Sequence, residues 1–305
     1  MKMFDFLWSL ESHVHRDLAF LLASPSLLRN TEVVPAITSQ EWMAWFLDAK
    51  DAIVEDAQKP QRLEQFVDTP RQYKLGLYAE DLFLYYLHHF SPYEVLAHDI
   101  QVFDGKRSIG AFDFIIRMPT GQIEHWEMAI KYFVQYTPSP EWSEFIGPGG
   151  RDSLQRKMNK MLNRQILLGD NPLAQEGLRK RGIPIPTRKR IISVGKLFAQ
   201  YRSNFIPPHE GDPQQPTGVW CKQDVFWKYQ QQHPQSRWVF RKHPRWIGPS
   251  LCAKKEESMN AEEAWEFVER QEKHVMFSEL REVSQGWQEE QRWFVMPPKW
   301  KKEEE

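Results

Sequence analysis

The stretch from 109 to 133, IGAFDFIIRMPTGQIEHWEMAIKYF, decides the fold. It reads as two apolar strands joined by a turn, and each strand carries an acid at its centre, Asp113 in the first and Glu127 in the second. An ionised carboxylate in such a place is costly unless a cation or hydrogen-bond donors meet it. Pro119-Thr120-Gly121 suits a three-residue hairpin loop, with Pro opening a type I turn and Gly in the left-handed region. Met118 and Gln122 then flank the loop, and counting back along both strands sets Asp113 opposite Glu127. Directly opposed residues hold their Cβ atoms about 4.5–5.5 Å apart, and like charges there destabilise a sheet. A divalent cation between them reverses the sign. Side chains alternate along a strand, so Glu127, Ala129 and Lys131 share a face.

Working outward, 93–136 reads as three strands, with the first turn at Asp104-Gly105-Lys106. Upstream, residues 1–90 read as helical. Ser39 is placed as the N-cap of an amphipathic helix over EWMAWFLDAKDAIVEDA, and a second helix runs from Tyr73 to His89. On that second helix Glu80 has Leu77, Phe83 and Leu84 as i±3 and i+4 neighbours, with Leu87 two turns on, so it points inward. Downstream, a helix follows Gly147-Pro148-Gly149-Gly150 and is expected to run to about Leu168. Residues 190–198 form a further strand. The Pro- and Gly-rich stretch 203–218 reads as a linker or long loop, and the remainder alternates short strands and helices.

A helix with Glu80, a strand with Asp113, and a strand with Glu127 and a nearby Lys131 together resemble the PD-(D/E)XK nuclease-like superfamily, also called the restriction-endonuclease-like fold. The resemblance covers roughly 73–168. The wider chain resembles an uncharacterised bacterial family often placed in that superfamily. The resemblance implies an α/β fold: a restriction-endonuclease-like core, with a central mixed sheet flanked by helices. Residues 71–202 form this core, 1–70 a helical extension, and 203–305 an α+β elaboration or small second domain. It also implies Mg²⁺- or Mn²⁺-dependent hydrolysis of DNA or RNA phosphodiesters. Asp113 and Glu127 would hold the metal, Glu80 would assist as a third ligand, and Lys131 would position water. One departure stands out. The superfamily's lysine falls two residues after the glutamate, where this chain has Ala129. Lys131 lies on the same face, so its long side chain still reaches toward the site. Glu127 and Lys131 equally suit an ordinary same-face ion pair.

The formal net charge is -1, so no global field draws the chain to a polyanion. Locally, 151–202 carries 13 Lys or Arg against Asp152, Asp170 and Glu176. On the helix after the Gly-rich loop, Lys157, Lys160 and Arg164 line one side, and Arg151 and Gln155 are candidates for the scissile phosphate. Arg188, Lys189 and Arg190 close a second basic run. Both clusters suit a nucleic-acid backbone, and both suit a solvated face. His125 is placed on the surface, or on the strand face of Glu127. Catalytic loss within the same fold would leave a nucleic-acid-binding protein. A scaffold that docks a partner through the N-terminal helices or Trp287, Trp293 and Trp300 is the third reading.

Cys221 and Cys252 form no CxxC pair and read as reduced thiols, placing the chain in the cytoplasm. The N-terminal stretch interrupts its apolar residues with Asp5, Glu11 and His13 and does not read as a signal peptide. No HExxH, GxSxG, P-loop or dinucleotide fingerprint occurs.

Overall fold

Trp42 and Trp45, one turn apart on an amphipathic helix, must be covered, and the fold covers them with a sheet. The computed structural model describes residues 3–69, 73–215 and 217–301. Its N-terminal helices are α1 (Met3–Trp8), α2 (His13–Ala23), α3 (Ser39–Asp56), α4 (Gln61–Val67) and α5 (Leu75–His89). The boundary expected at 70/71 lies outside the described residues. The cap of α3 is Thr38, one residue before the Ser39 expected. The Thr38 hydroxyl accepts from the Glu41 N–H, and the Glu41 carboxylate reaches back to the Thr38 N–H, closing a capping box. Trp45 stacks on Trp126 of the sheet at 5.2 Å between ring centroids, and Trp42 stacks on Phe83 of α5 at 5.4 Å.

The sheet begins with β1 (Glu94–Asp104), β2 (Arg107–Arg117) and β3 (Ile123–Gln135). After the two-residue β4 (Phe145–Ile146) come α6 (Leu154–Lys160), α7 (Pro172–Lys180), β5 (Arg188–Gln200) and β6 (Thr217–Lys222). The chain ends with α8 (Gln223–Gln232), β7 (Arg237–Phe240), β8 (Leu251–Cys252), α9 (Ala261–Glu269), β9 (Val275–Val283) and β10 (Gly286–Met296). The strand order is β1-β2-β3-β5-β6-β10-β9-β7, with β4 beside β3 and β8 beside β10. β3 pairs antiparallel with β2 and parallel with β5, so the sheet is mixed. The fold is thus α/β, with a large mixed sheet flanked by helices. The long loop expected at 203–218 does not interrupt the sheet, because β6 pairs with β5 on one side and β10 on the other.

The hairpin behaves as its turn chemistry requires. The Met118 N–H donates to the Gln122 carbonyl, the Gly121 N–H donates to Met118, and Gly121 has φ +85°. Phe114 lies opposite Trp126 and Arg117 opposite Ile123, the expected register. The first turn is shorter than expected, since Asp104 pairs directly with Arg107 around Gly105 and Lys106. β3 is covered on both faces. Trp126, Met128, Ile130 and Val134 pack with the N-terminal helices, while Ala129 and Phe133 pack with Leu154, Met158 and Met161. This sends His125, Glu127 and Lys131 toward α6 and the turn that follows it.

Ion pairs, one half-exposed and one buried, tie the layers together. One terminal nitrogen of Arg190 on β5 donates to both oxygens of Glu41 at 2.7 Å, joining α3 to the sheet. On β10, Arg292 donates to Glu289 at 2.6 Å with both groups buried. Burial alone pushes the Glu289 carboxyl up, but the Arg292 guanidinium outweighs it and holds the group at about 2. A carboxyl depressed in the folded state contributes stability that is present above its unfolded pKa of about 4.5 and is lost as pH falls toward 2. Glu289→Gln is expected to cost about 3–5 kcal/mol at pH 7, because it leaves Arg292 buried and unpaired. Urea denaturation at pH 7 and pH 3 checks this, since the gap between the variant and the parent chain should shrink at the lower pH.

Candidate functional site: a buried carboxyl pair beside a basic groove

The sheet departs from regularity at the candidate acids. The β2–β3 pairing ends at Phe114 and Trp126. One residue earlier, the Asp113 carboxylate takes the place of a strand partner and accepts from the Met128 N–H at 2.9 Å. On the other flank, Asp99 of β1 has φ +50°, between His98 opposite Phe114 and Ile100 opposite Phe112. Phe112 and Phe114 consequently pack in different clusters, Phe112 with Leu168 and Ala174, Phe114 with the N-terminal helices.

Glu127 is fully buried beside Asp113, and the two carboxyls are close enough to perturb one another. Two further groups grip Glu127. His125 Nε2 lies 2.8 Å from one oxygen, and Gln165 Nε2 donates to the other at 2.6 Å. Burial pushes His125 down to about 4, so the ring is neutral and its Nε2–H is the donor. Burial, reinforced by the Glu127 charge, raises Asp113 to about 7. Burial raises Glu127 to about 7 as well, against the downward pull of Lys157 and the hydrogen bonds. The pair therefore holds a proton well above the pH at which free carboxylic acids lose theirs.

A groove of about 510 Å³ opens beside the pair, lined by residues 128–133 of β3 and by Glu80, Arg151, Asp152 and Lys157. Lys157 is drawn in toward the acids. Its ammonium pKa is lowered by burial and by Lys131, while Asp113 and Glu127 oppose that fall. Its Nζ donates to Gln165 Oε1 at 3.3 Å, so Gln165 bridges Lys157 and Glu127. Lys131 donates to Asp152 at 2.6 Å. Behind Lys131, β5 passes so close at Gly195 (φ +136°) that a Cβ there would sit 1.8 Å from the Lys131 carbonyl oxygen.

The structure thus brings Asp113, Glu127 and Lys157 together, while Lys131 and Glu80 line the adjoining groove and Lys131 is held by Asp152. Among the described residues no three His, Cys, Asp or Glu side chains converge as a ready-made metal cage. Lys160, Arg164 and Gln155 are exposed. Arg188 pairs with Glu124, Lys189 with Asp170 and Arg190 with Glu41, and Arg190 is buried as a strut. Trp293 and Trp300 are buried as well. Trp300 packs on Trp220 and donates to the Pro148 carbonyl, so neither ring is available to dock a partner. Cys221 and Cys252 are free thiols, both buried.

His125 is buried against Glu127 rather than on the surface. Asp152 and Gln165 were not anticipated. The helix expected to reach Leu168 ends as α-helix at Lys160 and continues as a π-type turn over Met161–Gln165, closed by the Ile166 N–H on the Met161 carbonyl. The extra residue in that turn helps aim Gln165 at Glu127. The signal was present in outline, because Gln165 continues the apolar spacing of Leu154, Met158 and Met161.

These features define an α/β protein with a mixed sheet that sets two carboxyls of raised pKa against one another next to a cationic groove. Residues 16–296 match the family described as a domain of unknown function (DUF1853), and the chain belongs to that family. No curated protein and no solved structure matches it. Among the described residues no helix is long and apolar enough to cross a membrane.

Carboxyls raised in the folded state favour folding when protonated, and that contribution is lost as pH rises through about 7. Asp113→Asn removes one of the two like charges. Without divalent metal it is expected to raise Tm at pH 8 by a few degrees and to change it much less at pH 5. Differential scanning calorimetry in chelator checks this, and a lower Tm at pH 8 contradicts it.

Proposed function

We propose that this chain is a metal-dependent phosphodiesterase that acts on nucleic acid, with Asp113 and Glu127 as its metal ligands. The observation that carries the reading is the buried contact between these two carboxyls at the edge of a lysine-lined groove. The donor set fits a hard divalent cation. It offers carboxylate oxygens, one acid held by Met128 N–H and the other by His125 and Gln165, which orient the ligand as outer-shell partners do. Mg²⁺ commonly takes one or two protein carboxylates and completes its shell with water and phosphate oxygens, so a two-acid site is sufficient. When bound, the ion supplies positive charge where phosphoryl oxygens gather charge.

The chain's own groups do the rest. Lys157, sunk beside the acids, neutralises a phosphoryl oxygen. Lys131 lines the same groove, where the resemblance assigns it to positioning the attacking water. The exposed Arg151, Lys160 and Arg164 draw the flanking phosphates onto the groove rim. Glu80 lines the same groove and assists from its wall. The resemblance to the PD-(D/E)XK nuclease-like superfamily points the same way.

A second reading rests on one observation: the superfamily's lysine position is Ala129, and the Lys131 ammonium is already held by Asp152. This favours a protein that binds nucleic acid without cutting it.

Incubating the purified chain with Mg²⁺ or Mn²⁺ and single- and double-stranded DNA and RNA separates the two. Cleavage that Asp113→Asn or Glu127→Gln lowers by ~10³-fold or more supports the phosphodiesterase. Every substrate remaining intact with both metals would falsify it. Binding without cleavage supports the second reading, provided that Lys160→Glu with Arg164→Glu weakens it and lowers its salt slope by about one for each phosphate left unneutralised.

A further inference from the structure

The cation-rich loop 241–250 faces two ways, and one side has no part in the groove described above. His243 lines the groove, while Arg245 lines two other cavities that meet at His13 and Arg245. The smaller, about 140 Å³, gathers Arg16, Arg241 and Arg245 around a single carboxylate, Asp17. Asp17 is already committed to neutral donors, accepting from the Tyr78 hydroxyl at 2.8 Å and the Gly248 N–H at 2.8 Å. None of the three arginines forms an ion pair among the described residues. Arg241 spends its terminal nitrogens on the Ser250 hydroxyl and the Gly248 carbonyl, and Arg16 reaches only the Leu10 carbonyl, at 3.5 Å. Arg245 is exposed, and its guanidinium makes no hydrogen bond among the described residues. Three guanidinium groups around one occupied carboxylate leave positive charge that a small anion would neutralise, and their planar forks match phosphate oxygens.

The neighbouring cavity, about 400 Å³, differs in chemistry. Gln61, Glu64, Gln65 and Asp68 line it beside Val14 and Tyr78. Acids and amides there suit a body that bears hydroxyl or amino donors, and they repel a second anion. We infer that the paired cavities form a binding site for a small phosphomonoester, its phosphate between Arg16, Arg241 and Arg245 and its polar body against Gln61, Glu64 and Gln65.

The test is calorimetric titration of the full chain, without divalent metal, with inorganic phosphate, adenosine 5′-monophosphate and glucose 6-phosphate, against chloride at equal ionic strength. Saturable binding is expected, tighter for at least one ester than for phosphate. Arg245→Gln should weaken it at least tenfold, and Lys157→Gln should leave it unchanged. Arg245 is exposed and its side chain holds no other part of the fold, so its replacement does not endanger folding. Absence of saturable binding overturns the proposal. So does binding lost in Lys157→Gln but kept in Arg245→Gln, which moves the phosphate to the groove and leaves the phosphodiesterase reading standing. Esters that bind no tighter than phosphate overturn the role given to the larger cavity.

Discussion

Everything near the centre of this protein answers to one constraint, the burial of Glu127 in contact with Asp113. Two carboxyls taken from water into the middle of a sheet repel one another and lose their hydration. The surrounding chain supplies donors in compensation. Met128 gives up its strand N–H to Asp113, His125 stays neutral to donate to Glu127, and the π-type turn delivers Gln165. Strand β2 leaves β3 at this point, and Asp99 adopts a left-handed conformation alongside. Local irregularity of this kind gathers where a fold serves a site, because elsewhere a regular ladder is more stable.

Charge burial also assembles the molecule at a larger scale. Glu41 and Arg190 join the third helix to the fifth strand, and Asp17 reaches from the second helix to Tyr78 and to the Gly248 amide. Arg292 bridges Glu289 to the carbonyls of Trp246 and Gly248. The Tyr132 hydroxyl, on the strand that carries Glu127, donates to that same Trp246 carbonyl. These hydrogen bonds are directional, so they set how helices, sheet and the 241–250 loop sit on one another, which apolar packing alone leaves looser. The two basic clusters read from the sequence are separated by the same logic. Arg188, Lys189 and Arg190 each have an acid beside them, whereas Lys160 and Arg164 face solvent.

The sequence by itself determined the hairpin, its register and the face shared by His125, Glu127 and Lys131, because strand alternation and a Pro-Thr-Gly turn are local rules that few tertiary interactions override. It also determined the apolar faces of the N-terminal helices, through their spacing. Only the tertiary structure decided the partners of each charge. Nothing local distinguishes Arg190, locked to Glu41, from the exposed Arg164, since Glu41 lies far away in the chain. Periodicity set Gln165 in line with the apolar face, but it revealed neither the π-type turn nor that β6 and β10 would extend the first sheet past the Pro-rich loop. Pairings between distant segments depend on which surfaces meet when the chain closes, and a pattern read along the chain carries no record of that.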